Sequence, residues 1–81
     1  MIAEVFVTLK SGVLDPQGKA VAHGLQSLGF PEVKDARVGK YLTLSIDGIS
    51  ERDLEQKLQE MCQKLLANTV IEDFRYQIRK E

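Results

Sequence analysis

Apolar residues alternate with polar ones at the start of the chain. Ala3, Val5, Val7 and Leu9 fall on one side of a two-residue period, and Glu4, Phe6, Thr8 and Lys10 fall on the other. That spacing predicts a strand over Ile2 to Lys10 with one buried face. The period then changes. Val21, Leu25 and Leu28 recur at helical spacing, and Gly29 follows as a C-terminal cap with Pro31 barring continuation. A helix from about Pro16 to Leu28 is expected. Asp15-Pro16 marks its start, because an Asp side chain accepts from free backbone N–H groups and Pro fits the first turn.

From Val33 to Asp47 the pattern is a hairpin, with arms Val33 to Val38 and Tyr41 to Asp47 and a turn at Gly39-Lys40. The second arm alternates cleanly, with Leu42, Leu44 and Ile46 inward. The first arm holds Lys34, Asp35 and Arg37, which suits an edge or an arm reaching outside the domain. Ser50, with Asp53 three residues on, then starts a second helix. Its inner face is Leu54, Leu58, Met61, Cys62 and Leu65. Asn68 suits a left-handed turn ending that helix. A last strand over Val70 to Arg79 puts Phe74, Tyr76 and Ile78 on one face and Asp73, Arg75, Gln77 and Arg79 on the other.

The order strand-helix-strand-strand-helix-strand predicts an α+β, ferredoxin-like βαββαβ sandwich. In that fold both helices cover one face of a four-stranded antiparallel sheet. The other face carries Phe6, Thr8, Tyr41, Thr43, Ser45, Arg75 and Gln77, and a second copy or another subunit would dock there.

Eighty-one residues are enough for one small domain, residues 1–81, with a modest core. Self-association would hide apolar surface that one copy cannot bury. A formal charge of -1 gives no broad attraction to nucleic acid or an anionic membrane. A single cysteine rules out an internal disulfide and suits a reducing cytoplasm. No basic-then-apolar leader pattern appears, and no apolar run approaches the roughly 20 residues that span a bilayer.

Catalytic chemistry is sparse. Cys62 lies on an apolar helix stripe and reads as a small core hydrophobe rather than a nucleophile. His23, the one histidine, lies off its helix's apolar stripe and reads as a solvated surface residue. No Cys/His cluster has metal-ligand spacing and no phosphate-binding Gly-Lys-Ser/Thr loop occurs. Glu51, Asp53 and Glu55 read as helix-start charges. The best candidate surface is the loop Lys10 to Gly18, whose glycines and helix start offer N–H groups to an anion or a partner carbonyl. The competing reading is a tight strand-to-helix connection with no ligand. Arg37, Gly39 and Lys40 divide the same way, between a plain turn and a basic contact for a partner or phosphate.

The run Lys10-Ser11-Gly12-Val13-Leu14-Asp15-Pro16-Gln17-Gly18 resembles a signature of the PurS family, the small subunits of bacterial and archaeal phosphoribosylformylglycinamidine (FGAM) synthase. Arg37-Val38-Gly39-Lys40 and Lys64 to Phe74 fit the same family, and the resemblance spans nearly the whole chain. It implies a chain without catalytic residues or cofactor of its own. It also implies a subunit that associates with itself as a dimer or tetramer. Such a subunit joins a glutaminase to a large synthetase that uses ATP and Mg in the cytoplasm. The positions carried over are Lys10, Gly12, Asp15, Pro16, Gly18, Arg37, Gly39, Lys40 and Asn68. Thr69 departs from the Pro that the family pattern implies after Asn68, which puts only local stiffness in doubt.

Three other functions are compatible with this element order. An acylphosphatase needs an arginine by the first loop and an asparagine on a central strand, and both are missing here. An ACT-like small-ligand regulatory module shares the element order and remains open. An RNA-recognition module would need a denser aromatic and basic face than Phe6 and Tyr41 supply.

Overall fold

A computed structural model describes residues 1–80. Its elements are β1 (Ile2–Leu9), α1 (Pro16–Ser27), β2 (Lys40–Ser45), α2 (Glu51–Met61) and β3 (Glu72–Arg79), with a π-helical turn, Cys62–Leu66, closing α2. The sheet order is β2-β1-β3, antiparallel throughout. β1 is central because both of its faces have work. Ala3, Val5 and Val7 are fully buried, while Glu4 and Phe6 meet cross-strand partners on the far side. α2 lays Leu54, Leu58 and Cys62 on the buried face, and Phe74, Tyr76 and Ile78 of β3 pack alongside.

The architecture is α+β with two helices, and three expectations need correction. The sheet has three strands among the described residues, not four. Val33 to Val38 joins no ladder, since its backbone is claimed elsewhere: Val38 N–H donates to Asp15. The two helices do not both cover the sheet. α1 packs against the returning segment instead, with Gly18 against the Ala36 backbone and Gln26 Nε2 donating to Val33 O at 2.7 Å. Its buried face is Gly18 and Ala22 with Leu25 half-buried, one step round from the expected stripe, so Val21 (46%) and Leu28 (76%) stay exposed. The third correction concerns Leu65, which is 83% exposed rather than inward. The π turn, closed by Ala67 N–H donating to Cys62 O at 2.9 Å, rotates the last residues of the helix so that Leu66 turns inward in its place.

The caps follow the sequence. Ser50 Oγ accepts from Asp53 N–H. Gly29, at φ +101°, closes α1 in a Schellman turn: Phe30 N–H donates to Leu25 O and Gly29 N–H to Gln26 O. The molecule is elongated, 49 × 29 × 14 Å, with a radius of gyration of 16.1 Å. A compact chain of this length has about 12 Å. α1 and residues 30–38 form the projecting arm.

Candidate functional site

Asp15 organises the loop between β1 and α1. It is the buried charged side chain among the described residues, and both carboxylate oxygens are used. Oδ1 accepts from Gly18 N–H at 2.8 Å, capping α1, and Oδ2 accepts from Val38 N–H at 2.9 Å. The Val38 and Gly18 amides hold its carboxyl below the usual range near 3.8. Pro16 occupies the first helical position, where its missing N–H costs nothing.

Arg37 makes the reciprocal tie. Its guanidinium donates to Val13 O at 3.0 Å, to Lys10 O at 2.9 Å and to Leu9 O at 3.4 Å. The loop is a closed turn, with Val13 N–H donating to Lys10 O and Gly12 at φ +88°. Gly39 runs against the β1 backbone at Val7, where a Cβ would collide. Gly18 and Gly39 are thus demanded by close backbone approach.

Lys10, Gly12, Asp15, Pro16, Gly18, Arg37 and Gly39 therefore form one cluster, although about 20 residues separate its two halves in the chain. Lys40 borders it and reaches Leu66 O at 3.4 Å. A cavity of about 240 Å³ lies beside it, lined in part by Asp15, Gln17, Gly39, Lys40 and Glu72. Asn68 follows the π turn, and its N–H donates at 2.7 Å to Glu72, which lines the same cavity. Asn68 does not adopt the expected left-handed conformation, because every non-glycine described residue has negative φ. Instead its side chain accepts from Val70 N–H and its carbonyl accepts from Glu72 N–H at 2.7 Å, which builds the turn into β3.

Phe6, Tyr41, Arg75 and Gln77, expected together on the open sheet face, do share it, and Glu4 and Arg79 join them there. On the open sheet face Glu4 accepts from Tyr41 Oη, accepts from Gln77 Nε2 at 3.0 Å and lies 3.6 Å from Arg79 Nε. The Tyr41 hydrogen bond, then Gln77, lower the Glu4 pKa, and the same bond raises that of Tyr41. Phe6 packs against Tyr41, with ring centroids 5.0 Å apart, and carries the Arg75 guanidinium 3.9 Å above its ring. The signal was cross-strand register: Glu4 pairs with Gln77, and Phe6 pairs with both Tyr41 and Arg75.

Cys62 is fully buried and burial pushes its thiol up, away from the reactive thiolate. His23 is exposed. No group of three His, Cys, Asp or Glu side chains arranged to hold a metal occurs among the described residues. No helix among them is long and apolar enough to cross a membrane.

Known proteins resemble this chain over nearly its whole length. The model of the PurS family, described as phosphoribosylformylglycinamidine (FGAM) synthase, matches residues 2–80. The FGAM synthase subunit PurS of Bacillus subtilis is 56% identical over 77 residues, covering 95% of this chain and 90% of that one. A crystal form of B. subtilis PurS superposes with a TM-score of 0.87, at 54% identity and 98% coverage of both chains. Methanocaldococcus jannaschii PurS has a TM-score of 0.88 at 36% identity, covering 99% of this chain and 96% of its own. It is described as one of the subunits of formylglycinamide ribonucleotide amidotransferase in the purine biosynthetic pathway. A family model that matches residues 2–80, with relatives so similar throughout, makes this protein a member of the PurS family.

Proposed function

We propose that this chain is the non-catalytic small subunit of FGAM synthase in purine biosynthesis, and that it works by assembly. It associates with itself and holds a glutaminase subunit against the large synthetase subunit. Ammonia released from glutamine then meets formylglycinamide ribonucleotide on the large subunit, where ATP and Mg are used. The assembled enzyme works in the cytoplasm without nucleic acid or membrane. The whole of residues 1–81 serves as one unit in this.

The observation that carries the reading is the shape of the chain, taken with its family. A radius of gyration of 16.1 Å and exposed Val21, Leu28 and Leu65 describe a module whose apolar surface is meant for other chains. The Lys10 to Gly18 loop supports it too. Asp15 and Arg37 spend their polar atoms on the chain's own backbone, so the cluster acts as a rigid platform. Lys10, Lys40 and the rim of the 240 Å³ cavity are its outward-facing contacts for a partner.

The test is light scattering behind size-exclusion chromatography on this chain mixed with the glutaminase and synthetase subunits, ATP, Mg and glutamine. One species containing all three supports the reading. Elution of this chain apart from both partners under those conditions would refute it.

A further inference from the structure

Between β2 and α2 the chain carries Asp47 followed by Gly48, both exposed, on the lip of a groove of about 740 Å³ that runs along α2. The Gly48 N–H donates to Asp47 Oδ1 at 3.0 Å. The Asp47 carboxyl is thus folded back on the next peptide bond of its own chain. Its carbon lies one bond beyond that oxygen, within reach of the Gly48 nitrogen. Gly48 sits at φ +76°, a conformation that favours glycine, and nothing lies within 4 Å of where a Cβ would stand. No side chain shields the amide nitrogen, and the site is open to water.

The other Asp and Asn residues lack this combination. Pro16 follows Asp15 and has no N–H. Leu54 N–H, after Asp53, donates to Ser50 O inside α2, and Phe74, after Asp73, lies in the β1–β3 ladder. The Asn68 side chain accepts from Val70 N–H, two residues on. Asp35 comes nearest, since Ala36 N–H donates to Asp35 Oδ1 at 2.9 Å. There, however, the next residue has a Cβ, and its carbonyl is packed against Gly18 of α1.

We propose that Asp47-Gly48 is a site of covalent self-modification, where the main chain isomerises through a cyclic imide to isoaspartate. The Gly48 nitrogen forms a bond to the Asp47 carboxyl carbon. The carboxyl hydroxyl and the amide proton leave together as water, which closes a succinimide ring. Water then adds to either ring carbonyl. Breaking the bond from nitrogen to the side-chain carbon restores aspartate. Breaking the bond from nitrogen to the main-chain carbon leaves Gly48 attached through the former side chain, with the main-chain carboxylate free. The water lost is regained, and no oxidant or other reactant is needed.

The product has an extra carbon in the main chain between two fixed points. Ile46 is anchored to Met1: its N–H donates to Met1 O at 2.9 Å, and its carbonyl accepts from the terminal ammonium at 3.1 Å. Ser50 caps α2 by accepting from Asp53 N–H at 3.2 Å. The added length falls on that cap, so α2 loosens at its first turn, beside the groove.

The test is long incubation of the folded full chain at physiological temperature in heavy-oxygen water. Digestion in ordinary water and peptide mapping with electron-transfer fragmentation follow. An isoaspartyl methyltransferase with a labelled methyl donor reports the freed main-chain carboxylate independently. The peptide holding Asp47 should gain heavy oxygen and accept methyl groups several times faster than the peptide holding Asp35. Asp47→Glu, whose ring would be larger and closes far more slowly, should lose both signals and keep its helical circular dichroism. In the isomerised fraction the Asp53 amide should exchange faster than in fresh protein, with Val5 unchanged. Labelling at Asp47 no faster than at Asp35, or methyl acceptance that survives Asp47→Glu, would overturn the proposal. Isomerisation with unaltered Asp53 exchange would overturn its effect on α2.

Discussion

Asp15 and Val38 are joined across 23 positions of chain by a hydrogen bond of 2.9 Å from the Val38 amide to the Asp15 carboxylate. The other oxygen of the same carboxylate starts α1 through Gly18 N–H. One side chain therefore sets where the arm begins and where it returns to the sheet. The loop thereby fixes both ends of the arm.

Asp15→Ala removes the helix cap and the tie together. The melting midpoint is expected to fall by several degrees, with faster amide exchange at Gly18 and Val38 and unchanged exchange at Val5. Thermal unfolding combined with native-state hydrogen exchange checks this. Uniform acceleration across β1 would contradict a local role.

Acid sensitivity follows from the same pair. Asp15 has a folded pKa below its ordinary value near 3.8, so its ionised form is favoured by folding. The stability it contributes is complete above that ordinary value and is lost as pH falls through the lower folded value. Asp15→Asn should therefore flatten the stability profile below about pH 4 relative to wild type. Urea midpoints from pH 2 to pH 7 would show it.

Arg37→Lys keeps the charge and loses the fork. A single ammonium cannot reach Val13 O, Lys10 O and Leu9 O at once, so a cost of about 1 kcal/mol is expected in denaturant unfolding. A cost equal to that of Arg37→Ala would also fit lost geometry. No cost in either variant would remove Arg37 from the platform.

Leu58 and Leu65 lie seven residues apart at helical spacing, yet only Leu58 is core. Leu58→Ala should cost about 2–5 kcal/mol, enough to unfold much of a domain this small. Leu65→Ala should cost less than about 0.5 kcal/mol in the isolated chain, because the π turn leaves it 83% exposed. Comparable costs would mean that the helix keeps its α period to the end.

The parts of the fold legible in the sequence are those written in neighbouring residues. The alternation of Ala3, Val5 and Val7, the caps at Asp15, Ser50 and Gly29, and the faces of β3 all depend on local spacing, and the structure has them. Val33 to Val38 failed as a strand because a ladder needs a partner, and the Val38 amide was already committed to Asp15. The polar residues Lys34, Asp35 and Arg37 had hinted at an arm outside the sheet. The α1 face was misplaced by one step because Gly18 and Ala22 are small enough to pack on backbone, a contact that hydrophobicity does not report. Leu65 was misplaced because one π turn shifts the helical phase without any residue that announces it. At the candidate site, the residues Asp15, Arg37 and Gly39 were singled out. The hydrogen bonds of Asp15 to the Val38 amide and of Arg37 to the Leu9, Lys10 and Val13 carbonyls cross more than 20 positions and have no local signature.

The central claim, a subunit that couples two active sites, is tested most directly by FGAM formation from glutamine with the large and glutaminase subunits, with and without this chain. Ammonia in place of glutamine serves as the control. The account predicts that glutamine-driven synthesis requires this chain and that ammonia-driven synthesis depends on it far less. Equal glutamine-driven rates with and without the chain would contradict it.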